Sequence, residues 1–207
     1  DFGEGLFSNP HGLAIGPNDE IWVTDTVRHQ VLRFSHAGEL LQSLGENGVP
    51  GDDLGHFDQP TDVAFASTGE IFVSDGYGNS RVVRHSRDGE PIASFGKKGS
   101  GPGEFDLPHG IAIDAQDRIY VADRSNQRVQ VFAPDGRHLQ SWGPEVFGAG
   151  SRAWGVEIAG ERLYVIDGGH MNPALEGYAR ITRTDLAGQV EAAWSRYGEA
   201  PGELSWG

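Results

Sequence analysis

The chain has 207 residues with 31 glycines and 37% hydrophobic residues, a composition typical of many short strands and tight turns. Its 16 basic and 30 acidic residues give a net charge of −14, which repels phosphate backbones and anionic lipids, so neither a nucleic-acid nor a membrane partner is expected. The absence of cysteine excludes disulfides and thiolate chemistry, and no apolar run is long enough to cross a membrane.

One unit recurs four times along the chain. Each copy begins with a Pro or Ala that opens an apolar strand, and an aspartate closes the next strand 14 or 15 residues later. The closing residues are Asp25, Asp75, Asp123 and Asp167, at separations of 50, 48 and 44 residues. This spacing is typical of four-stranded β-propeller blades. We therefore predict a single all-β domain, a β-propeller with four four-stranded blades visible of a six-bladed ring, with blades bounded approximately by residues 6–58, 59–107, 108–150 and 151–204.

The second repeat illustrates the predicted strands of one blade. Its runs at 61–66, 70–75, 81–86 and 91–95 are separated by glycine-rich turns, and the central runs alternate in character. In an up-and-down blade, the start of strand one and the loop between strands two and three lie at the same end. These two places therefore share a surface around the mouth of the central channel.

Histidine alternates at the residues that open strand one, which are His11, Thr61, His109 and Trp154 in blade order. In a six-bladed ring, alternate blades lie about 120° apart, so a third histidine two blades on would complete a three-fold cage. Alignment of the repeats places that histidine just beyond Gly207. Three neutral imidazoles with an open fourth position suit a catalytic zinc. The alternative is that each histidine caps a turn or hydrogen-bonds to a neighbouring blade.

The loops after strand two add Tyr77 and Arg124 to the same surface. A tyrosine beside a divalent cation can act as a base, and an arginine can pair bidentately with a carboxylate. The alternative is that Tyr77 covers the blade edge and Arg124 joins a surface ion pair. Both interpretations remain open at the level of the sequence.

Two further features of the repeats have other interpretations. The first is interpreted as structural, and the second has two alternatives. The repeated aspartates, with Arg81 and Arg128 that follow two of them, recur in most blades and are expected to brace loops. The fourth repeat carries an insert at 168–178, which is either a lid over the channel mouth or a plain surface insertion. His170 and Met171 within it are secondary candidates as metal neighbours, and no other histidine is expected to be a primary ligand.

The repeats resemble NHL repeats, and particular strings resemble the peptidyl-α-hydroxyglycine α-amidating lyase family. The strings are Asn-Pro-His-Gly-Leu at 9–13, Trp-Val-Thr-Asp at 22–25 and Gln-Pro-Thr-Asp-Val-Ala at 59–64. The stretch at 56–81 is the most specific, because a generic NHL protein would share its glycines and aspartates only. The resemblance runs through nearly the whole chain.

This resemblance implies roles for five residues. His11 and His109 are similar to two of the family's three zinc ligands, Tyr77 to its catalytic tyrosine and Arg124 to an active-site arginine. The backbone carbonyl of Leu13 is similar to a ligand of the family's structural calcium. The expected cofactors are therefore a catalytic zinc and a structural calcium.

The chain also departs from the family pattern. The third histidine, with an adjacent calcium-binding aspartate, is expected beyond Gly207, and a second functional arginine is expected before Asp1. Animal members have a disulfide at positions that match Asp58 and Gly78, which this chain cannot form. A bacterial-type relative is therefore expected.

The resemblance implies cleavage of the N–Cα bond of a peptidyl α-hydroxyglycine, which gives a peptide amide and glyoxylate. The substrate is expected to be a small peptide or another carbinolamide, such as a ureido-hydroxy acid. Two other hypotheses remain: a non-enzymatic NHL platform that binds a protein or peptide, and a metal-dependent hydrolase of the lactonase type. The last would need a carboxylate-rich metal site, and Asp62 is the only evident acid at the strand-one openings.

Two expectations concern the behaviour of the polypeptide. An open arc of four blades exposes blade edges, through which we expect self-association. A secreted or periplasmic location is favoured over a cytoplasmic one, although the absence of cysteine does not identify the compartment.

Overall fold

The computed structural model describes residues 3–168 and 179–195. These residues form four antiparallel sheets of four sequential strands each. The first two sheets contain β1 (Pro10–Ile15), β2 (Ile21–Asp25), β3 (Gln30–Phe34), β4 (Leu40–Leu44), β5 (Pro60–Phe65), β6 (Ile71–Asp75), β7 (Arg81–His85) and β8 (Pro91–Phe95). The other two contain β9 (Pro108–Ile113), β10 (Ile119–Asp123), β11 (Arg128–Phe132), β12 (His138–Trp142), β13 (Ala153–Ala159), β14 (Arg162–Gly168), β15 (Ala179–Asp185) and β16 (Val190–Ser195). The prediction of an all-β propeller with four four-stranded blades is confirmed, and the six-bladed ring stays a prediction.

Sequence chemistry accounts for the strands and their turns. The second strands are rich in β-branched and aromatic residues, and both β6 and β10 are buried along their whole length. The outer hairpins turn at Asp-Gly pairs, where Gly89 and Gly136 have φ of 89° and 85°. Each glycine N–H donates to a carbonyl three residues earlier, so these turns require the left-handed backbone that glycine adopts without strain.

The hydrophobic core lies between the blades. One cluster, around Trp22, Phe57 and Val73, fills the space between the first two blades. A second cluster surrounds Phe72 and Phe132, and a third surrounds Tyr120 and joins the last two blades. Each blade is therefore held by its neighbours, and the inner strands β1, β5, β9 and β13 are fixed relative to one another.

Helix is almost absent from the described residues. The one helix in this part of the chain, α1, spans Pro144–Phe147 and precedes the fourth blade. No helix within residues 3–168 and 179–195 is long and apolar enough to span a membrane.

Candidate active site

Each inner strand begins with an irregularity in its pairing. The pairing register of β1, β5, β9 and β13 with the next strand shifts at the opening of each inner strand. The shifts lie at the positions held by His11, Thr61, His109 and Trp154. Bulges of this kind redirect side chains beside active sites, and here they gather the predicted histidines at one end of the propeller.

The Tyr77 hydroxyl lies between the two histidines. Its oxygen is 3.1 Å from Nε2 of His11 and 3.0 Å from Nε2 of His109. The two imidazole rings are themselves in contact, with centroids 4.8 Å apart. The structure therefore brings together three of the residues predicted from the sequence, contributed by three blades.

The other ring nitrogen of each histidine fixes its tautomer. Nδ1 of His11 lies 2.7 Å from the carbonyl oxygen of Thr61, and Nδ1 of His109 lies 2.6 Å from that of Trp154. A carbonyl only accepts hydrogen bonds, so both Nδ1 atoms carry a proton and donate it. In the neutral rings, both Nε2 atoms then carry a lone pair directed at the Tyr77 hydroxyl. The histidines do hydrogen-bond to neighbouring blades, and this contact leaves the Nε2 atoms available as ligands.

His109 is held in its neutral form. It is buried at 7% exposure, whereas His11 is exposed. Burial, together with the charges of His11 and Arg124, lowers the pKa of His109 to about 3. A neutral imidazole with a free Nε2 lone pair is the form that binds zinc.

Arg124 completes the group from the loop after β10. Its Nη1 lies 3.5 Å from the Tyr77 hydroxyl oxygen, and its guanidinium carbon lies 3.6 Å from the ring centroid of Trp154. The residue is buried, and it forms no salt bridge with the described residues, so it is not the surface ion pair considered above. Burial lowers the pKa of Arg124, and the positive charge of Arg152 adds to this effect.

Buried hydroxyl groups of the second blade hold the opening of β9. Thr61 donates from Oγ1 toward the Pro108 carbonyl at 3.0 Å, and Ser74 donates to the His109 carbonyl at 2.9 Å. All these groups are buried, so each hydrogen bond forms in a dry environment where its geometry is well defined. The backbone that carries His109 is thereby tied to the second blade.

The repeated aspartates have the structural role predicted for them. Asp75 accepts from the Asp58 N–H and pairs with Arg81 at 2.9 Å, while Asp123 pairs with Arg128 at 2.7 Å. The two arginines also donate to carbonyls of the loops that enter their blades. These contacts brace the loops that enter the second and third blades.

The residues present fit a zinc ion as two of its ligands, because the Nε2 atoms of His11 and His109 face one point. No group of three or more histidine, aspartate or glutamate side chains arranged for a metal occurs within residues 3–168 and 179–195. A third histidine ligand stays a prediction. His170, Met171 and most of the 168–178 insert lie outside the described residues, so their predicted roles stay predictions as well.

Leu13 lies two residues after His11 on β1, and its side chain is exposed. It lines a cavity of about 430 Å³ together with Asp62 and Glu157. Asp62 is held by the backbone N–H groups of Val63 and Ile111, at 2.9 and 3.1 Å, and burial raises its pKa to about 7. The calcium site at the Leu13 carbonyl stays a prediction.

Asp58 and Gly78, which match the disulfide positions of the animal family members, are neighbours in the structure. The N–H of Gly78 donates to the Asp58 carbonyl at 2.9 Å, and a Cβ at Gly78 would lie 2.1 Å from the Asp58 carboxyl carbon. The loop that carries Tyr77 and the loop that enters the second blade are therefore in direct contact. A cross-link at this place would hold the loop that carries Tyr77.

Sequence reasoning missed the role of Trp154. The residue was noted only as the fourth strand-one opening, yet its carbonyl orients His109 and its ring stacks on Arg124. The available signal was the aromatic residue itself, because it occupies the position where the other blades carry His or Thr.

The chain is similar to known proteins in sequence and in structure. The NHL repeat family matches residues 7–34, 57–84 and 105–132. A probable peptidyl-alpha-hydroxyglycine alpha-amidating lyase of Caenorhabditis elegans is 45% identical over 137 residues, which cover 64% of this chain and 39% of the relative. The peptidylglycine alpha-amidating monooxygenase of Rattus norvegicus is 46% identical over 142 residues, covering 64% of this chain and 14% of the relative.

Virginiamycin B lyase from Staphylococcus aureus has a similar structure, with a TM-score of 0.63 over 93% of this chain and 57% of that chain. Its sequence identity of 18% means that this likeness shows the fold alone. The chain spans about two fifths of the worm lyase and a smaller share of the rat enzyme. The resemblance inferred from the sequence is confirmed: the chain carries NHL repeats and is homologous to peptidyl-alpha-hydroxyglycine alpha-amidating lyases.

Proposed function

We propose that this protein is a zinc-dependent lyase that cleaves the N–Cα bond of a peptidyl α-hydroxyglycine, or of a similar carbinolamide, to an amide and glyoxylate. Homology to the amidating lyases supports a lyase. The observation that carries the proposal is the convergence on the Tyr77 hydroxyl of His11 Nε2, His109 Nε2 and Arg124 Nη1. A hydroxyl surrounded by two free lone pairs and a cation is placed for proton transfer, not for packing.

Zinc would be held by Nε2 of His11 and of His109, and it would supply Lewis-acid polarisation of the substrate hydroxyl. The carbonyls of Thr61 and Trp154 keep these two rings in the tautomer that a metal needs.

The reaction requires one proton to leave an oxygen and one to reach a nitrogen. Tyr77, in its phenolate form, would accept the proton of the substrate hydroxyl as the C=O bond of glyoxylate forms and the C–N bond breaks. The electron pair of that C–N bond goes to the amide nitrogen, and the same proton returned from Tyr77 completes the amide. No electrons are transferred to or from the substrate, so the step balances without a redox partner.

Arg124 would hold the substrate carboxylate. Its guanidinium lies beside the Tyr77 hydroxyl, so a carboxylate on the hydroxyl-bearing carbon could be bound within reach of the proton acceptor. Placement of this kind converts the reaction into a step within one complex, which is a major source of rate enhancement.

The test is glyoxylate release from a short peptidyl α-hydroxyglycine by the longest available form of the polypeptide, with zinc present and after chelation. We expect zinc-dependent release that Tyr77→Phe reduces by about 100-fold or more, the usual contribution of a positioned acid or base. Tyr164→Phe, which alters a tyrosine of β14 remote from the channel mouth, is the matched control and should retain full activity. A folded, zinc-loaded protein without release would overturn the proposal and leave a binding platform as the better hypothesis.

A further inference from the structure

Arg124 is a buried cation without an anionic partner in the described part of the chain. Its exposure is 8%, and its one side-chain hydrogen bond there is the 3.5 Å contact to Tyr77. The buried Arg81 and the partly buried Arg128, by contrast, each pair with a buried aspartate. Buried charges are normally paired, so the guanidinium of Arg124 is placed for an anion that the described residues do not supply.

The ring of Trp154 holds this guanidinium in place. The separation of 3.6 Å between the guanidinium carbon and the ring centroid places the two groups in van der Waals contact. The other arginine–aromatic pairs of the described residues are at 5.4 to 5.9 Å. A guanidinium stacked by its face keeps its N–H donors at the edge, which is the geometry that pairs with a carboxylate.

The indole is fixed from two other directions. A Cβ added at Gly168 would lie 2.7 Å from the indole ring, so the absence of a side chain there makes room for it. The His109 ring packs against the indole with centroids 5.5 Å apart. The Trp154 ring is therefore a rigid platform, built from the first two strands of the fourth blade.

Burial lowers the pKa of Arg124 and so disfavours its charged form, and the charge of Arg152 adds to this effect. The attraction of a cation to an indole face is strongest when the pair is shielded from water, as it is here. The stack on Trp154 therefore offsets part of the cost of burying the charge of Arg124.

From these contacts we infer that Trp154 is a positioning residue, which orients Arg124 and makes the protein select substrates with a free carboxylate on the hydroxyl-bearing carbon. The inference rests on the proposed lyase function and deepens it. It assigns carboxylate selectivity to a residue that touches neither the reacting atoms nor the carboxylate.

The experiment compares two substrates in the longest available form of the polypeptide. One is a peptidyl α-hydroxyglycine with a free carboxylate and the other is its methyl ester, and both give the same amide product. The ratio of kcat/KM for the two substrates measures carboxylate selectivity. A purely structural defect lowers both values and leaves the ratio unchanged, whereas loss of Arg124 positioning lowers the ratio.

We expect Trp154→Leu to lower the ratio by about tenfold, since a shielded cation–π contact of this kind is lost. Trp154→Phe retains an aromatic face and should recover much of the ratio. Trp194→Leu is the matched control, because that indole lies on β16 and stacks loosely on Arg183, at 5.8 Å, away from the channel mouth. It should leave the ratio unchanged.

Gly168→Ala tests the same inference without altering the indole, in case Trp154→Leu does not fold. The added methyl group forces the ring to move, so the ratio should fall while melting shows a folded protein. An unchanged ratio in a folded Trp154→Leu or Gly168→Ala variant would overturn the inference. Failure of the lyase proposal is a different result, namely no amide release by the unaltered protein from the carboxylate substrate.

Discussion

His11 and Thr61 open the inner strands of adjacent blades, and the Nδ1–H of the histidine donates to the backbone carbonyl of the threonine at 2.7 Å. The same carbonyl accepts a second hydrogen bond from Oγ1 of Thr24, at 3.0 Å. The orientation of one candidate ligand therefore depends on how the next blade is held.

Thr24→Val should test this dependence. The substitution preserves shape, but it removes a fully buried hydroxyl that donates to the Thr61 carbonyl and accepts from the Gly12 N–H at 2.7 Å. We expect a loss of about 1 to 3 kcal/mol in the free energy of unfolding, since a buried donor is left unpaired. Urea denaturation measures this loss. The exposed Thr68, changed to Val, is the control, and an equal effect in both variants would contradict the assignment.

The zinc affinity should depend on His11 and His109. Substitution of either histidine with alanine removes a metal ligand, so it should weaken zinc binding by more than about 100-fold. That value is the upper end of the loss caused by removing a residue that only hydrogen-bonds to a metal ligand. Competition with a chromophoric zinc chelator gives the affinity of the longest available polypeptide. His36→Ala, an exposed histidine outside the site, should bind zinc normally. Normal zinc binding by both alanine variants at the candidate site would show that the metal, if bound, is held elsewhere.

The sequence predicts the blades and the surface around the channel mouth because both follow from the repetition of one unit. The aspartate spacing gives the blade length, and strand order then places His11, His109 and Tyr77 at one end of the sheets. Which atoms meet could not be predicted, because it depends on the bulge at each strand opening and on carbonyls of other blades. The tautomers of the two histidines are a consequence of those carbonyls.

The stack of Trp154 on Arg124 is the clearest example of a contact that could not be predicted from the sequence. The two residues belong to different blades, and no spacing rule relates a loop after β10 to the opening of β13. Their contact depends on the rotation between two blades and on the missing side chain at Gly168. Packing of this kind appears only when the whole arc of blades is assembled.

His85 should make stability depend on pH. The residue is 3% exposed, and its Nδ1 has no hydrogen-bond partner among the described residues. Burial, together with the charge of Arg81, lowers its pKa from 6.5 to about 4. The unfolded state therefore takes up a proton near pH 6.5 and the folded state only near pH 4. The stabilisation is complete above pH 6.5 and is lost as the pH falls toward 4.

The measurement compares the unfolding free energy of the wild type with that of His85→Leu. Relative to His85→Leu, the wild type should lose about 3 kcal/mol of unfolding free energy as the pH falls from 7 to 4. Asp62, whose pKa is raised to about 7, acts in the opposite direction, but it is present in both proteins and cancels in the difference. His36→Leu, at an exposed position, should show no such trend. A difference that is constant with pH would mean that His85 is hydrated or paired in the folded protein.

The exposed face of the fourth blade, which carries Ile166 and Trp194, should mediate self-association of the 207-residue polypeptide. Ile166 pairs with Ile181 across the sheet, and Ile181 pairs with Trp194, so the three form one row on adjacent strands. Ile166 and Trp194 are 48% and 49% exposed. Single exposed apolar residues are ordinary, but a contiguous row of this size favours contact with another surface.

Combining Ile166→Lys with Trp194→Lys should shift the polypeptide toward the monomer, as measured by light scattering after size exclusion. The matched pair Ile92→Lys and Leu139→Lys, on β8 and β12, removes two apolar side chains of 44% and 39% exposure and should leave the association unchanged. A wild-type polypeptide that is monomeric at every concentration would show that the row is too small, or too well screened by the stacked Arg183, to drive association.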